Sequence, residues 1–193
     1  MAVVWVFGRH PRCVATVPGD SGPVVAGRLS DRIVGVPLLL VRHAQAKARK
    51  EWSGDDRLRP LTGHGFRQAE GLVSVAAEFA PVTHALSSPY LRCEQTLRPL
   101  AAQRGLEVEV DDALAEGQRA EAVSLVRRLA GQDVAVCTHG DVIVEILVSL
   151  ADEDHVDLGT TPKQAKGSVW ALEGADGRFW SADYRPPVVA ERV

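Results

Sequence analysis

Pro37-Leu38-Leu39-Leu40-Val41-Arg42-His43-Ala44 is the stretch on which the fold turns. Four consecutive apolar residues end abruptly at an arginine and a histidine. A strand with one wet face alternates apolar and polar residues, so an unbroken apolar run of this length predicts a strand covered on both faces. Such a strand needs helices above and below it. Working outward, Thr62 stands where it can cap a helix carrying Gln68, Ala69, Leu72, Val73, Ala76 and Phe79, which must stop before Pro81. A strand over His84 to Ser87, a helix from Pro89 to Arg104 ended by Gly105, and a strand from Leu106 to Val110 come next. A helix over Arg119 to Leu129 leads to the apolar strand Val134 to Cys137, followed by a helix from Asp141 to Leu150. Gly167 to Leu172 and Arg178 to Tyr184, separated by Gly-Ala-Asp-Gly, read as a closing β-hairpin. Alternating strands and helices predict a three-layer α/β/α sandwich with a largely parallel central sheet.

In 193 residues that are 46% hydrophobic there is room for one domain with a real core. We place it over residues 36–193. Residues 1–35, rich in Gly, Pro, Val and Arg without sustained periodicity, are expected to be an extension or a peripheral strand. The 22 basic and 25 acidic side chains give a net charge of -3, which disfavours a nucleic-acid or anionic-membrane partner; any basic site must be local. Cys13, Cys93 and Cys137 are odd in number and lack CxxC spacing, against a disulfide framework or a zinc site. The longest apolar runs fall short of the roughly 20 residues of a membrane-spanning helix. The N-terminus lacks the basic stretch of a secretory signal, so we expect a cytoplasmic protein.

Open α/β sheets bind ligands beyond the carboxyl ends of their strands. Three apolar strands here deliver Arg42-His43, Ser87-Ser88-Pro89 with Arg92 one helical turn on, and Thr138-His139-Gly140-Asp141. If these ends converge, two guanidiniums and two imidazoles share one crevice, a poor core but a good trap for a phosphoryl dianion. At 4 Å and an effective dielectric of 20, each cation–anion pair is worth about 4 kcal/mol before desolvation. Arginine adds planar two-pronged hydrogen bonding. Imidazole is substantially neutral near pH 7 and forms a labile phosphoramidate, which makes His43 the candidate nucleophile. His139 is placed to donate to the phosphoryl oxygens as charge shifts.

With those residues in view, Leu40 to Ala44 resembles the RHG-type signature of the histidine phosphatase superfamily. Pro60-Leu61-Thr62-Gly63-His64-Gly65 with Gln68-Ala69, Ser87-Ser88-Pro89 through Arg92 and Thr96, and Thr138-His139-Gly140 resemble its further motifs in the expected order. Ala44 replaces the usual glycine, as is characteristic of the SixA-like subgroup. Trp52 through Thr62 and Lys166-Gly167-Ser168-Val169-Trp170 are similar to SixA-type proteins and to the C-terminal phosphatase domain of actinobacterial two-domain MutT (Nudix) hydrolases. Residues 1–35 contain no glutamate and thus no Nudix box.

The resemblance implies a phosphoglycerate mutase-like fold and a metal-independent phosphatase needing no cofactor. It implies His43 as phosphohistidine nucleophile, with Arg42, Arg92 and His139 as the phosphate pocket. Glu116, in Leu114-Ala115-Glu116-Gly117, is implied as proton donor, and Asp141 as the alternative. The substrate stays open between a phosphorylated small molecule such as a nucleotide and a phosphohistidine protein. Two rivals belong to other classes: a noncatalytic phosphate-binding or interaction module, and a metal hydrolase, for which no HxxxH motif or carboxylate cluster is found. His64, His84 and His155 are expected in structural or surface roles, Cys93 and Cys137 as buried apolar residues. Lys47, Arg49, Lys50, Arg57 and Arg59 are expected to form a solvated face that steers anions. The Val4-to-His10 segment mimics strand-then-Arg-His, but lacks companion motifs.

Overall fold

The apolar run forms strand β1, Leu38–Arg42, and its first four residues are completely buried. The computed structural model describes residues 37–79, 81–159 and 163–191. Leu38 and Leu40 enter one core cluster and Leu39 and Val41 another, so alternate side chains of one strand feed two separate cores. That is the physical content of an unbroken apolar strand. The expected residues 1–35 extension and the Val4-to-His10 segment lie outside the described residues.

The elements that follow are α1 (Gly63–Ala76), β2 (His84–Ser87), α2 (Leu91–Arg104), β3 (Val108–Val110) and α3 (Arg119–Arg128). The chain then forms β4 (Val134–Thr138), α4 (Gly140–Asp154), β5 (Val169–Ala175) and β6 (Arg178–Arg185). One six-stranded sheet has the order β3-β2-β4-β1-β5-β6, parallel through β3, β2, β4 and β1, with β5 and β6 antiparallel. Leu72, Val75, Leu97 and Leu100 bring α1 and α2 to the Leu39 face, while Leu125, Val126, Ile143 and Ile146 bring α3 and α4 to the Leu40 face. The result is the three-layer sandwich, with the core split by its sheet.

Several boundaries differ from the sequence reading, among them the end of α1 at Ala76 short of Phe79 and the start of β5 at Val169 in place of Gly167, and four have a clear local reason. Helix α2 starts at Leu91 because Tyr90 keeps an extended backbone (φ -87, ψ 126) as its cap. Strand β3 starts at Val108: the Leu106 amide is used to close α2, donating to Ala101 O at 2.9 Å around Gly105 at φ 67. Helix α4 runs on to Asp154, whose carboxylate accepts from Arg127 Nη1 (2.8 Å) and from the Phe179 amide (3.2 Å). In the hairpin, Gly174 and Ala175 are still paired with Phe179 and Arg178, which leaves a two-residue Asp176-Gly177 turn with φ of 52 and 78. Positive φ at both positions is the mark of a type I′ turn.

Candidate active site

Parallel pairing puts the carboxyl ends of β1, β2 and β4 on one edge, with Arg42 level with Thr138 and Ser87 level with Cys137. The next residues therefore enter one space: His43 after β1, Ser88 after β2 and His139 after β4. A cavity of about 710 Å³ opens there, lined by Arg42, His43, Arg92, Glu116, His139 and Asp141, with Arg59, Arg119, Gln164 and Lys166 also on its wall. All five residues read from the sequence as site residues, and Asp141, thus meet in one place. His64, His84 and His155 do not line it. Cys93 and Cys137 are buried and unbridged.

His43 is 7% exposed. Its Nδ1 lies 2.8 Å from Ala44 O; a carbonyl only accepts, so Nδ1 carries the proton and Nε2 keeps its lone pair. Burial, followed by the nearby charges of Arg92, Arg42 and Lys166, outweighs that hydrogen bond and lowers the imidazole to about 3. It is neutral at pH 7. Its backbone is bolted down on several sides: His43 N donates to Thr138 O, Gly167 N donates to His43 O, and Ala44 N donates to Thr96 Oγ1.

The second imidazole, His139, packs edge-on to the first at 5.4 Å between ring centres. Its Nδ1 faces Arg92 Nη2 at 3.3 Å and its Nε2 faces Ser88 Oγ at 2.8 Å. Because arginine only donates, Nδ1 accepts there and Nε2–H is given to Ser88. Burial first, then the fields of His43 and Arg92, depress this imidazole to about 2.

Arg92 is 1% exposed, and its charge is matched on both sides. Nη1 donates to Asp56 O (2.9 Å) and Oδ2 (3.1 Å), while Nη2 donates to Glu116 Oε2 (2.7 Å). Tyr90 lies beneath the guanidinium, 4.4 Å from ring centre to Cζ. Arg42 reaches past the start of α4 to donate to Gln164 O, and its Nε has no protein partner among the described residues. A side chain at Gly140 would press on the ends of Arg42 and Gln164, since a Cβ there lies 2.8 Å from Arg42 Nη2 and 2.7 Å from Gln164 Oε1. Burial lowers the Arg42 pKa, against the raising field of Asp141.

The two candidate acids differ in their attachments. Glu116 bonds Arg92 and, at 3.2 Å, Arg49. Asp141 accepts from the Gly117 amide at 3.1 Å and faces Arg119 Nε at 3.6 Å. Asp141 thereby pins the loop that carries Glu116.

The sequence reading missed three participants. Asp56 Oδ1 accepts from Arg59 Nε (2.7 Å) and Arg49 Nε (3.3 Å), while Oδ2 accepts from Arg49 Nη2 (3.2 Å) as well as from Arg92. Burial pushes that carboxyl up, but hydrogen bonds from Arg59 and Arg49 and the charges of Arg92 and Arg59 hold it well below the usual carboxylate range. Arg59 is 8% exposed and also donates to Lys47 O, so it belongs to the site and not to a solvated face. Lys166 stands on the cavity wall, its pKa lowered by burial and by Arg42, Arg59 and Arg92. The available signal was the Asp55-to-Thr62 string itself, whose charges look like surface until their partners are seen.

Among the described residues no group of three or more His, Cys, Asp or Glu is arranged to hold a metal ion. No helix among them is long and apolar enough to cross a membrane.

Residues 38–122 match the family model of the histidine phosphatase superfamily (branch 1). It is 34% identical over 156 residues to an 8-oxo-(d)GTP phosphatase of Mycolicibacterium smegmatis, a match over 78% of this chain and 48% of the relative. The chain thus spans about half the length of that curated relative. Its fold is similar to that of a SixA structure from Agrobacterium tumefaciens, with TM-score 0.64 and 23% identity over 79% of this chain and 99% of that one. A mycobacterial glucosyl-3-phosphoglycerate phosphatase is similar in fold too, with TM-score 0.55 and 19% identity over 78% and 96% of the two chains.

Proposed function

We propose that this chain is a phosphatase that takes a phosphoryl group from its substrate onto His43 Nε2 and then passes it to water, without a metal or organic cofactor. The observation that carries the reading is the His43 tautomer: Nδ1–H is held by Ala44 O, and the neutral ring keeps its Nε2 lone pair in a cavity lined by Arg42 and Arg92. We read residues 36–193 as the catalytic domain.

Arg42 and Arg92 hold the phosphoryl oxygens and offset the charge spread over them in transfer. As a phosphate oxygen takes Arg92 Nη2, Glu116 loses its strongest partner, takes up the proton carried in by the substrate's phosphate monoanion, and passes it to the leaving oxygen. The dianion's field also favours a protonated His139, which keeps Nε2–H on Ser88 and offers Nδ1–H to the phosphoryl group. In the second half Glu116 takes a proton from water, which attacks the phosphorus and releases inorganic phosphate and neutral His43. Asp141 holds the Glu116 loop and does not donate.

For the substrate we propose a phosphorylated small molecule of the nucleotide class. A 710 Å³ cavity is far larger than a phosphoryl group needs, and the relative sharing 34% identity is named for a nucleotide. Hydrolysis of an aryl phosphate, a nucleoside diphosphate and a phosphohistidine protein in chelator, compared between wild type and His43→Ala, tests the proposal. Wild type is expected to turn over the nucleotide fastest, and the variant to lose at least ~10³-fold. Equal rates in both proteins contradict the mechanism. Preference for the phosphohistidine protein contradicts the substrate, and loss of activity in chelator contradicts metal independence.

A further inference from the structure

We infer that Asp56 is a positioning residue, the fixed counter-charge that aims Arg92 and Arg59 at the phosphoryl group, in contrast to Glu116, which phosphate displaces. This rests on the phosphate-binding role proposed for the cavity.

The local structure makes Asp56 a fixed point. It is the first residue of a short turn, Asp56–Leu58, capped by Asp55, whose Oδ1 accepts from the Arg57 amide at 2.9 Å. The turn directs the main-chain oxygen and the carboxylate of Asp56 to the same nitrogen, Arg92 Nη1. The other carboxylate oxygen holds Arg59 Nε at 2.7 Å. One residue therefore sets two nearly buried guanidiniums that share the cavity wall with His43. Among the described residues, Arg92 has only one other carboxylate, Glu116, which is held by no backbone group and is bonded only to arginines.

Arg92 Nε is buried without a partner among the described residues, so an incoming dianion that engages Nη1 or Nη2 takes donors now given to Asp56, or to Glu116 and His139. Glu116 holds the nitrogen Nη2, which also faces His139, and Asp56 holds Nη1 with two oxygens at once. Glu116 is the partner that gives way. Asp56 stays, so that the guanidinium cannot swing with the anion and the buried charge keeps a partner throughout.

The sign of one measurement separates this role from a simple field effect. Deleting a negative charge beside an anion pocket strengthens anion binding if only the field matters. Deleting a positioning residue weakens it. Titration calorimetry with inorganic phosphate on wild type, Asp56→Asn and Glu116→Gln gives the answer without turnover. The expected result is binding weaker by roughly tenfold or more in Asp56→Asn, and equal or tighter in Glu116→Gln. Equal or tighter binding in Asp56→Asn overturns the inference, as does weaker binding in Glu116→Gln. If Asn at position 56 prevents folding, Asp56→Glu, which keeps the charge and lengthens the arm, replaces it with the same two readings.

Hydrolysis of an aryl phosphate by the same proteins adds the KM-against-kcat split: Asp56→Asn is expected to raise KM as well as lower kcat. Wild type that binds phosphate but hydrolyses nothing refutes the phosphatase reading and leaves the Asp56 result standing. Wild type that does not bind phosphate overturns both.

Discussion

His43 has one proton and two possible nitrogens for it, and a carbonyl oxygen at 2.8 Å decides between them. The consequence for pH is specific. An ordinary imidazole protonates near 6.5, whereas burial holds His43 near 3. The unfolded chain therefore binds a proton that the folded chain refuses as pH falls below 6.5, so His43 costs stability progressively from 6.5 down to about 3. His139, depressed to about 2, acts in the same direction. Replacing His43 by Gln removes this penalty, so urea unfolding should show the variant gaining on wild type between pH 7 and pH 4.5. A stability difference that stays constant with pH contradicts the assigned burial effect. At the same scale, Glu116→Gln should lower kcat by about 10²–10⁴, the usual worth of a positioned acid, with a smaller change in KM. Asp141→Asn should cost less, because Asn still accepts from Gly117; steady-state kinetics of the two variants decides between the acids.

Elements were legible wherever burial imposed a pattern. Continuous apolar runs marked β1 and β4, and spaced apolar residues marked α1, so the three strand ends that deliver Arg42, His43, Ser88 and His139 were readable before any contact was known. What could not be read were boundaries set by one hydrogen bond, such as Leu106 closing α2, and side chains whose role depends on distant partners, such as Asp56 and Arg59. Two glycines show how the elements serve the site. A Cβ at Gly65 lies 2.1 Å from Gln45 O, so α1 approaches the loop after His43 more closely than any side chain permits. Gly65→Ala is expected to lower the melting temperature and the activity together, because backbone must move. At Gly140 the clash falls instead on the far ends of Arg42 and Gln164. Gly140→Ala should therefore leave thermal stability within a few degrees while raising KM severalfold; a variant with wild-type KM contradicts the tight seat of Arg42.

For the whole molecule, a net charge of -3 hides a strongly basic cavity, with four arginines and a lysine on its wall against Glu116, Asp141 and Glu145. Composition excluded a global anion-binding surface and said nothing of a local one. Because the Debye length shrinks from ~10 Å at 0.1 M salt to ~3 Å at 1 M, added salt should raise KM for anionic substrates and leave kcat nearly constant. The two-core sandwich holds that cavity beyond the carboxyl ends of β1, β2 and β4, and the proposed mechanism turns on a covalent bond to one nitrogen of His43. Rapid acid-free quenching during turnover of an aryl phosphate, followed by peptide mass spectrometry, tests this most directly. A phosphoryl adduct, labile in acid and stable in base, is expected on the peptide containing His43 and absent from His43→Asn. Turnover with no adduct on that peptide, at a rate that His43→Asn leaves unchanged, contradicts the mechanism.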